Sequence, residues 1–118
     1  MYREITVGTQ SIPMKANAAT PIRYRNVFKQ DVLNELQTVG DNYSIAIDTI
    51  SRLAFIMAKA ADGSDMNKLN DDMYVEWLEQ FETFDITNAA EEIVGLYVGN
   101  AETLSEVKKK ARGAVKEN

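Results

Sequence analysis

Residues 42–61, NYSIAIDTISRLAFIMAKAA, carry more apolar side chains per turn than any other part of the chain, and their reading decides the fold. At about 100° per residue, Tyr43, Ala46, Ile47, Ile50, Leu53, Ala54, Met57 and Ala61 share one broad arc. Ser44, Asp48, Ser51, Arg52 and Lys59 share a narrower one. A helix with so wide an apolar arc is touched on several sides. The same length of apolar chain could suggest a membrane span, but Asp48 and Arg52 sit near its middle, where each charge is costly in a bilayer. The stretch therefore reads as a buried central helix. One residue breaks the pattern: Phe55 falls within the polar arc, flanked at helical spacing by Asp48, Ser51, Arg52 and Lys59. Either another part of the chain covers it, or a partner does.

Around this helix there is material for one domain. With 118 residues and 45% hydrophobic side chains, the chain can build a single core but not two comfortable ones. The reading is one α+β, mainly α-helical domain over residues 1–99, followed by a mobile basic tail over 100–118. Cysteine is absent, which excludes disulfides, thiolate metal sites and cysteine nucleophiles. Histidine is absent too, removing the commonest general base and metal ligand. The opening MYREITVG lacks the apolar core of a signal peptide, so the expected location is the cytoplasm.

Before the central helix, residues 2–16 read as a β-hairpin. Ile5 and Val7 alternate with Glu4 and Thr6, Gly8-Thr9-Gln10 supplies the turn, and Ile12, Met14 and Ala16 alternate with Pro13 and Lys15. A lone hairpin is marginal in water, so it must lie on the helices or add strands from another copy. Thr20-Pro21 then opens a helix expected over 21–39, with Thr20 as N-cap and Pro21 pre-set for the first helical position. Tyr24, Phe28, Val32 and Leu36 recur every four residues along it, and Gly40 is placed to end it. Arg23, Arg25 and Lys29 make its first half basic, which opposes the helix dipole and suggests an acidic partner.

After the central helix comes ADGSDMNKLNDD, a polar loop. Its acids do not form an EF-hand: counted from Asp65, positions 5 and 6 are Leu69 and Asn70, where an oxygen ligand and a glycine are needed. Helical periodicity returns over 71–83, where Tyr74, Trp77, Leu78 and Phe81 share a face, and again over 86–98, where Ile86, Ala89, Ala90, Ile93 and Tyr97 do. Gly99-Asn100 should cap the last helix. The remainder, AETLSEVKKKARGAVKEN, has too few apolar points to order itself.

Charge is unevenly spread: net +2 over residues 1–60, −9 over 61–99 and +2 over 100–118. So long an acidic block would repel phosphates, which argues against nucleic acid as a partner. No glycine-rich phosphate loop occurs, and the carboxylate pairs Asp71-Asp72 and Glu91-Glu92 sit at expected helix starts, where acids favour the dipole. Nothing in the spacing points to a catalytic constellation or a cofactor.

Four stretches together resemble the tail assembly chaperones of long-tailed bacteriophages and of prophages in Gram-positive bacteria. They are the hairpin followed by KANAATPIRYRNVFKQDVL (15–33), RLAFIMAKAAD (52–62), YVEWLEQFETFDI (74–86) and the lysine-rich end. The resemblance implies a non-catalytic protein that coats the tape measure protein and recruits the major tail (tube) protein, whose subunits replace it as the tube grows. It also implies a place in the host cytoplasm and not in the mature virion. Many members gain a C-terminal extension by ribosomal frameshifting, for which Lys108-Lys109-Lys110 offers candidate codons. A structural protein of the virion, such as a tail completion or head-tail connector protein, is the alternative. Joined to the residue pattern, the resemblance makes Phe55, with Asp48, Arg52 and Lys59 around it, the expected partner-binding group. The basic first helix and the acidic third could mate between copies, giving self-association.

Overall fold

The computed structural model describes residues 1–39 and 47–99. Two strands, β1 (Tyr2–Val7) and β2 (Gln10–Lys15), are followed by α1 (Thr20–Phe28), α2 (Val32–Val39), α3 (Ile47–Ala61), a single 3₁₀ turn at Met66–Lys68, α4 (Asp71–Leu78), α5 (Asp85–Asn88) and α6 (Ala90–Tyr97). The fold is α+β and mainly helical. Residues 42–46 of the expected central helix, the Gly40 stop and the 100–118 tail lie outside the described residues.

α3 is the centre of the domain. It packs against β2 and against each of α1, α2, α4, α5 and α6, and its buried residues run almost unbroken from Thr49 to Ala58. Ile50, Leu53, Phe55 and Met57 are fully enclosed. Burying each such side chain contributes about 1.5–3 kcal/mol. The broad apolar arc therefore does what its width requires, and α3 ends at Ala61, where the polar ADGSDMNKLNDD stretch begins, with Gly63 at φ 82°.

The hairpin lies on the helices. Tyr2 pairs with Lys15 through to Val7 with Gln10, leaving Gly8-Thr9 as a two-residue turn. A positive φ of 65° at Gly8 followed by a negative one at Thr9 matches a type II′ hairpin turn, which wants glycine at its first central position. Ile5, Val7, Met14 and Ala16 are buried, with β2 against α3 and β1 against α5 and α6. Pro13, which has no amide hydrogen, stands on the exposed face opposite Glu4.

The expected single helix over 21–39 is two. After α1, Lys29 takes the left-handed conformation at φ 60°, ψ 31°, its N–H still donating to Arg25 O. Asp31 then caps α2, accepting from the Asn34 N–H at 3.1 Å. Asp31 is a strong N-cap residue, and the polar Lys29-Gln30-Asp31 run leaves no apolar group to hold a straight helix on the core. The break also corrects the charge argument: Arg25 and Lys29 sit at the end of α1, where cations favour the dipole. Thr20 is likewise not the N-cap. Ala19 occupies that position, while the Thr20 hydroxyl accepts from Asn17 N–H and Asn17 Oδ1 accepts from Ala19 N–H.

Lys29 is the one non-glycine residue among the described residues with a positive φ. Glycine relieves the Cβ clash of that conformation but costs more entropy on folding, so Lys29→Gly is expected to stabilise the domain by about 0.5–1 kcal/mol. A higher urea midpoint at unchanged slope would show it; a lower midpoint would mean that the Lys29 amine, which donates to Asn26 O at 2.8 Å, outweighs the strain.

The acidic segment is also more divided than its periodicity suggests. α4 begins with an Asn70 cap whose side chain accepts from Met73 N–H, but it stops at Leu78 and continues as successive turns through Phe81 and Asp85. The expected 86–98 helix is α5 and α6, separated only by Ala89 at φ −99°, ψ 4°. Gly99 ends it at φ 80°.

Candidate functional site

Four residues stand out in the sequence as a partner-binding group, and α3 carries all of them. Asp48 is exposed in the first turn, Arg52 and Lys59 are half-buried, and Phe55 is 0% exposed. Of the two readings open for Phe55, the structure shows the first: the chain itself covers the ring. The expectation that Phe55 presents its ring to a partner is thereby corrected.

What covers it is an aromatic ladder. α1 supplies Phe28 and α4 supplies Tyr74 and Trp77, whose ring centroids lie 6.3, 5.6 and 5.8 Å from that of Phe55. Tyr24 extends the ladder at one end, 5.2 Å from Phe28, and Phe81 at the other, 5.0 Å from Trp77. Every neighbouring pair meets edge to face, the arrangement that the ring quadrupole favours. α1 and α4 thus lock against one side of α3 through these rings.

The charges around Phe55 serve this ladder. Lys59 Nζ lies 5.9 Å from the centre of the Phe55 ring and the Arg52 guanidinium 5.7 Å from that of Phe28, within reach of the negative ring faces. Arg52 also donates to Gln30 Oε1 at 2.9 Å and stands 4.0 Å from Glu35 Oε2. The Tyr24 hydroxyl donates to Glu35 Oε1 at 2.8 Å. These bonds tie the α1–α2 break to α3. Because the Arg52–Glu35 pair is partly solvated, its own contribution is small, about 0–1 kcal/mol; its effect is to fix the turn.

The phenols record this enclosure. Burial, then the bond to Glu35, pushes Tyr24 far above the ordinary value of 10.0, against a smaller opposing pull from Arg52. Burial also raises Tyr74 and, with the Asp31 charge, Tyr97. Burial disfavours the charge on Arg52, but the influence of Tyr24, and after it Tyr74 and Glu35, outweighs that, and its affinity for its proton rises. A group whose folded value is raised gives stability that is complete below its unfolded value and lost above it. The urea midpoint should therefore hold level up to the ordinary tyrosine value of 10.0 and fall beyond it, with a gentler fall in Tyr24→Phe. An unchanged slope in that variant would show that Tyr24 is not a source.

On the solvent side, the half-buried edges of Phe28, Tyr74, Trp77 and Phe81 form an aromatic rim. Val75 at 54% and Phe84 at 68% exposure extend apolar surface along the same acidic segment, among the exposed carboxylates of Glu76, Glu79 and Glu82. Among the described residues no cluster of three or more carboxylates could hold a metal ion, and no helix is long and apolar enough to cross a membrane.

Two features escaped the sequence pattern. The exposed Phe84 lies between the two expected helical stretches, 71–83 and 86–98, and belongs to neither pattern. A cavity of about 170 Å³ between the end of β2, the start of α1 and the far half of α3 joins Lys15 and Arg23, residues that no periodicity relates. Comparison with family models, curated proteins and solved structures finds no match.

Proposed function

We propose that this protein is a non-catalytic tail assembly chaperone of a long-tailed phage or prophage, binding the tape measure protein, helping to recruit tail tube subunits and associating with itself. The supporting observation is the aromatic rim of α1 and α4, together with the exposed Val75, Glu76, Glu79 and Glu82 of the same segment, which carries the YVEWLEQFETFDI resemblance. Reversible cover for a long apolar helix calls for this combination: apolar contacts numerous enough to compete with aggregation, and a charged margin that keeps the empty chaperone soluble. Phe55 supports the rim from beneath, while Arg52 and Lys59 hold its rings in place.

Co-expression tests the reading. The tape measure protein encoded alongside this chain should stay soluble in its presence and elute with it, and Val75→Asp should release it at unchanged thermal stability. A tape measure protein that aggregates equally with and without the chain would refute the proposal. Recovery of the chain in fixed proportion from purified particles would favour the virion structural protein instead.

A further inference from the structure

We infer that copies of this chain join head to tail, the Phe84 side chain of one entering the Lys15–Arg23 cavity of the next. The inference rests on the self-association in the proposed function but requires nothing of the tape measure protein.

Phe84 is the most exposed large apolar side chain of the described residues, at 68%. It is also rigidly presented. Asp85 Oδ2 accepts from the Glu82 N–H at 2.8 Å, Asp85 N–H donates back to Glu82 O, and Asn88 N–H donates to Phe84 O. A backbone fixed in this way does not have to be ordered on docking, which lowers the cost of binding. Glu79 and Glu82, five and two positions before it, are exposed.

The cavity is complementary in size and charge. At about 170 Å³ it exceeds the ~150 Å³ known to admit a benzene ring. Ile56, Ala60 and Met66 give it apolar walls, and Lys15, Asn17 and Arg23 a polar, cationic mouth with no carboxylate in its lining. The nearest acids in sequence are engaged elsewhere: Asp62 faces Lys59 at 3.6 Å, and Asp65 caps the 3₁₀ turn through Asn67 N–H. Arg23 uses one guanidinium nitrogen on Asn67 Oδ1, and Lys15 extends into solvent.

Position decides the geometry of the contact. The cavity lies against Ile56 and Ala60 in the far half of α3, where the hairpin opens. The Phe84 corner belongs to the other end: its neighbours Phe81, Glu82 and Thr83 border a cleft with Ile47 and Ser51 of α3, and Asp85 stands beside Gly8 at the hairpin tip. Knob and socket are therefore at opposite ends of the same helix. A contact between unlike patches leaves one of each free and so propagates, closing only if its rotation permits. A string of domains of this kind is a shape that can follow an elongated partner.

Sedimentation velocity of the purified full chain is the test. The wild type should form larger species as concentration rises, and fewer as salt rises. Phe84→Ser and Arg23→Glu should each weaken association about 10-fold or more, the loss expected of an interface anchor, with circular dichroism melts confirming that both fold. Lys15→Glu, at an exposed position, replaces Arg23→Glu if the latter does not. An equimolar mixture of the knob and socket variants should give a dimer and nothing larger, because one intact knob then meets one intact socket. A wild type that stays monomeric, single variants that assemble like the wild type, or a mixture that stays monomeric would each overturn the inference. Retention of the tape measure protein by a monomeric chain would separate that failure from failure of the proposed function.

Discussion

Replacing Phe55 with alanine is expected to lower the stability of this domain by about 3–5 kcal/mol, the range for removing an enclosed phenylalanine. The ring is 0% exposed and is the meeting point of α1, α3 and α4. Its loss leaves a void that Phe28, Tyr74 and Trp77 cannot close without abandoning their own edge-to-face contacts, each worth about 0.5–1.5 kcal/mol beyond burial. Lys59 loses the ring face beneath its amine as well. Small domains are stable by only about 5–15 kcal/mol in total, so a large share of the folded state is at risk. Phe55→Leu, which restores most of the volume but not the quadrupole, should cost markedly less. Urea unfolding of the three proteins measures both differences. A loss below about 1 kcal/mol in the alanine variant is what a surface position gives, and would place the ring outside the core. Failure of Phe55→Ala to bind a partner would accordingly report on folding, whereas Val75→Asp reports on contact.

How much of this was legible in the sequence depends on the range of the forces involved. The identity of α3 as the centre followed from the arc of Ile50, Leu53, Ala54 and Met57, because a helix apolar over so wide an angle has to be surrounded. The hairpin followed from strict alternation about Gly8-Thr9, a local signal in both pattern and turn chemistry. The division of the first helix at Lys29 was visible only in part. Asp31 is a strong cap, but four-residue spacing from Tyr24 to Leu36 runs straight through it. Both halves do face the core; the spacing could not show that they do so from different directions. Phe55 was misplaced for the opposite reason. A helical wheel sorts residues by their own neighbours, and whether a ring among charges is bare depends on Phe28, some 27 positions before it, and on Tyr74 and Trp77 well after it. The clue was present as surplus: α1 and α4 carry more aromatics than a stripe facing only Leu53 and Met57 would use. The cavity at Lys15 and Arg23 had no such clue, since a hollow between a strand end and a helix start leaves no periodic trace.

Substituting valine at Gly8 should cost about 2–4 kcal/mol, more than backbone strain alone explains. The first part of the cost is conformational. At φ 65° a residue with a Cβ is strained by about 1–2 kcal/mol, and a β-branched one fits this region worst. The second part is a collision: a Cβ on Gly8 would press against the carboxylate of Asp85, with the Asp85 side chain the nearest group to it. That carboxylate can retreat only by giving up the Glu82 N–H, which loosens the turn that presents Phe84. The hairpin tip and the α4–α5 corner are in this sense one structure, although 77 positions separate Gly8 from Asp85. A double-mutant cycle separates the two parts. Gly8→Ala should cost less in an Asp85→Ala background than in the wild type, because the strain remains while the collision is gone. Additive costs would show that the corner yields freely, and the coupling would then be absent. If the coupling holds, Gly8→Ala should also weaken head-to-tail association at concentrations where the domain stays folded, since a displaced Asp85 leaves Phe84 exposed but no longer held in place.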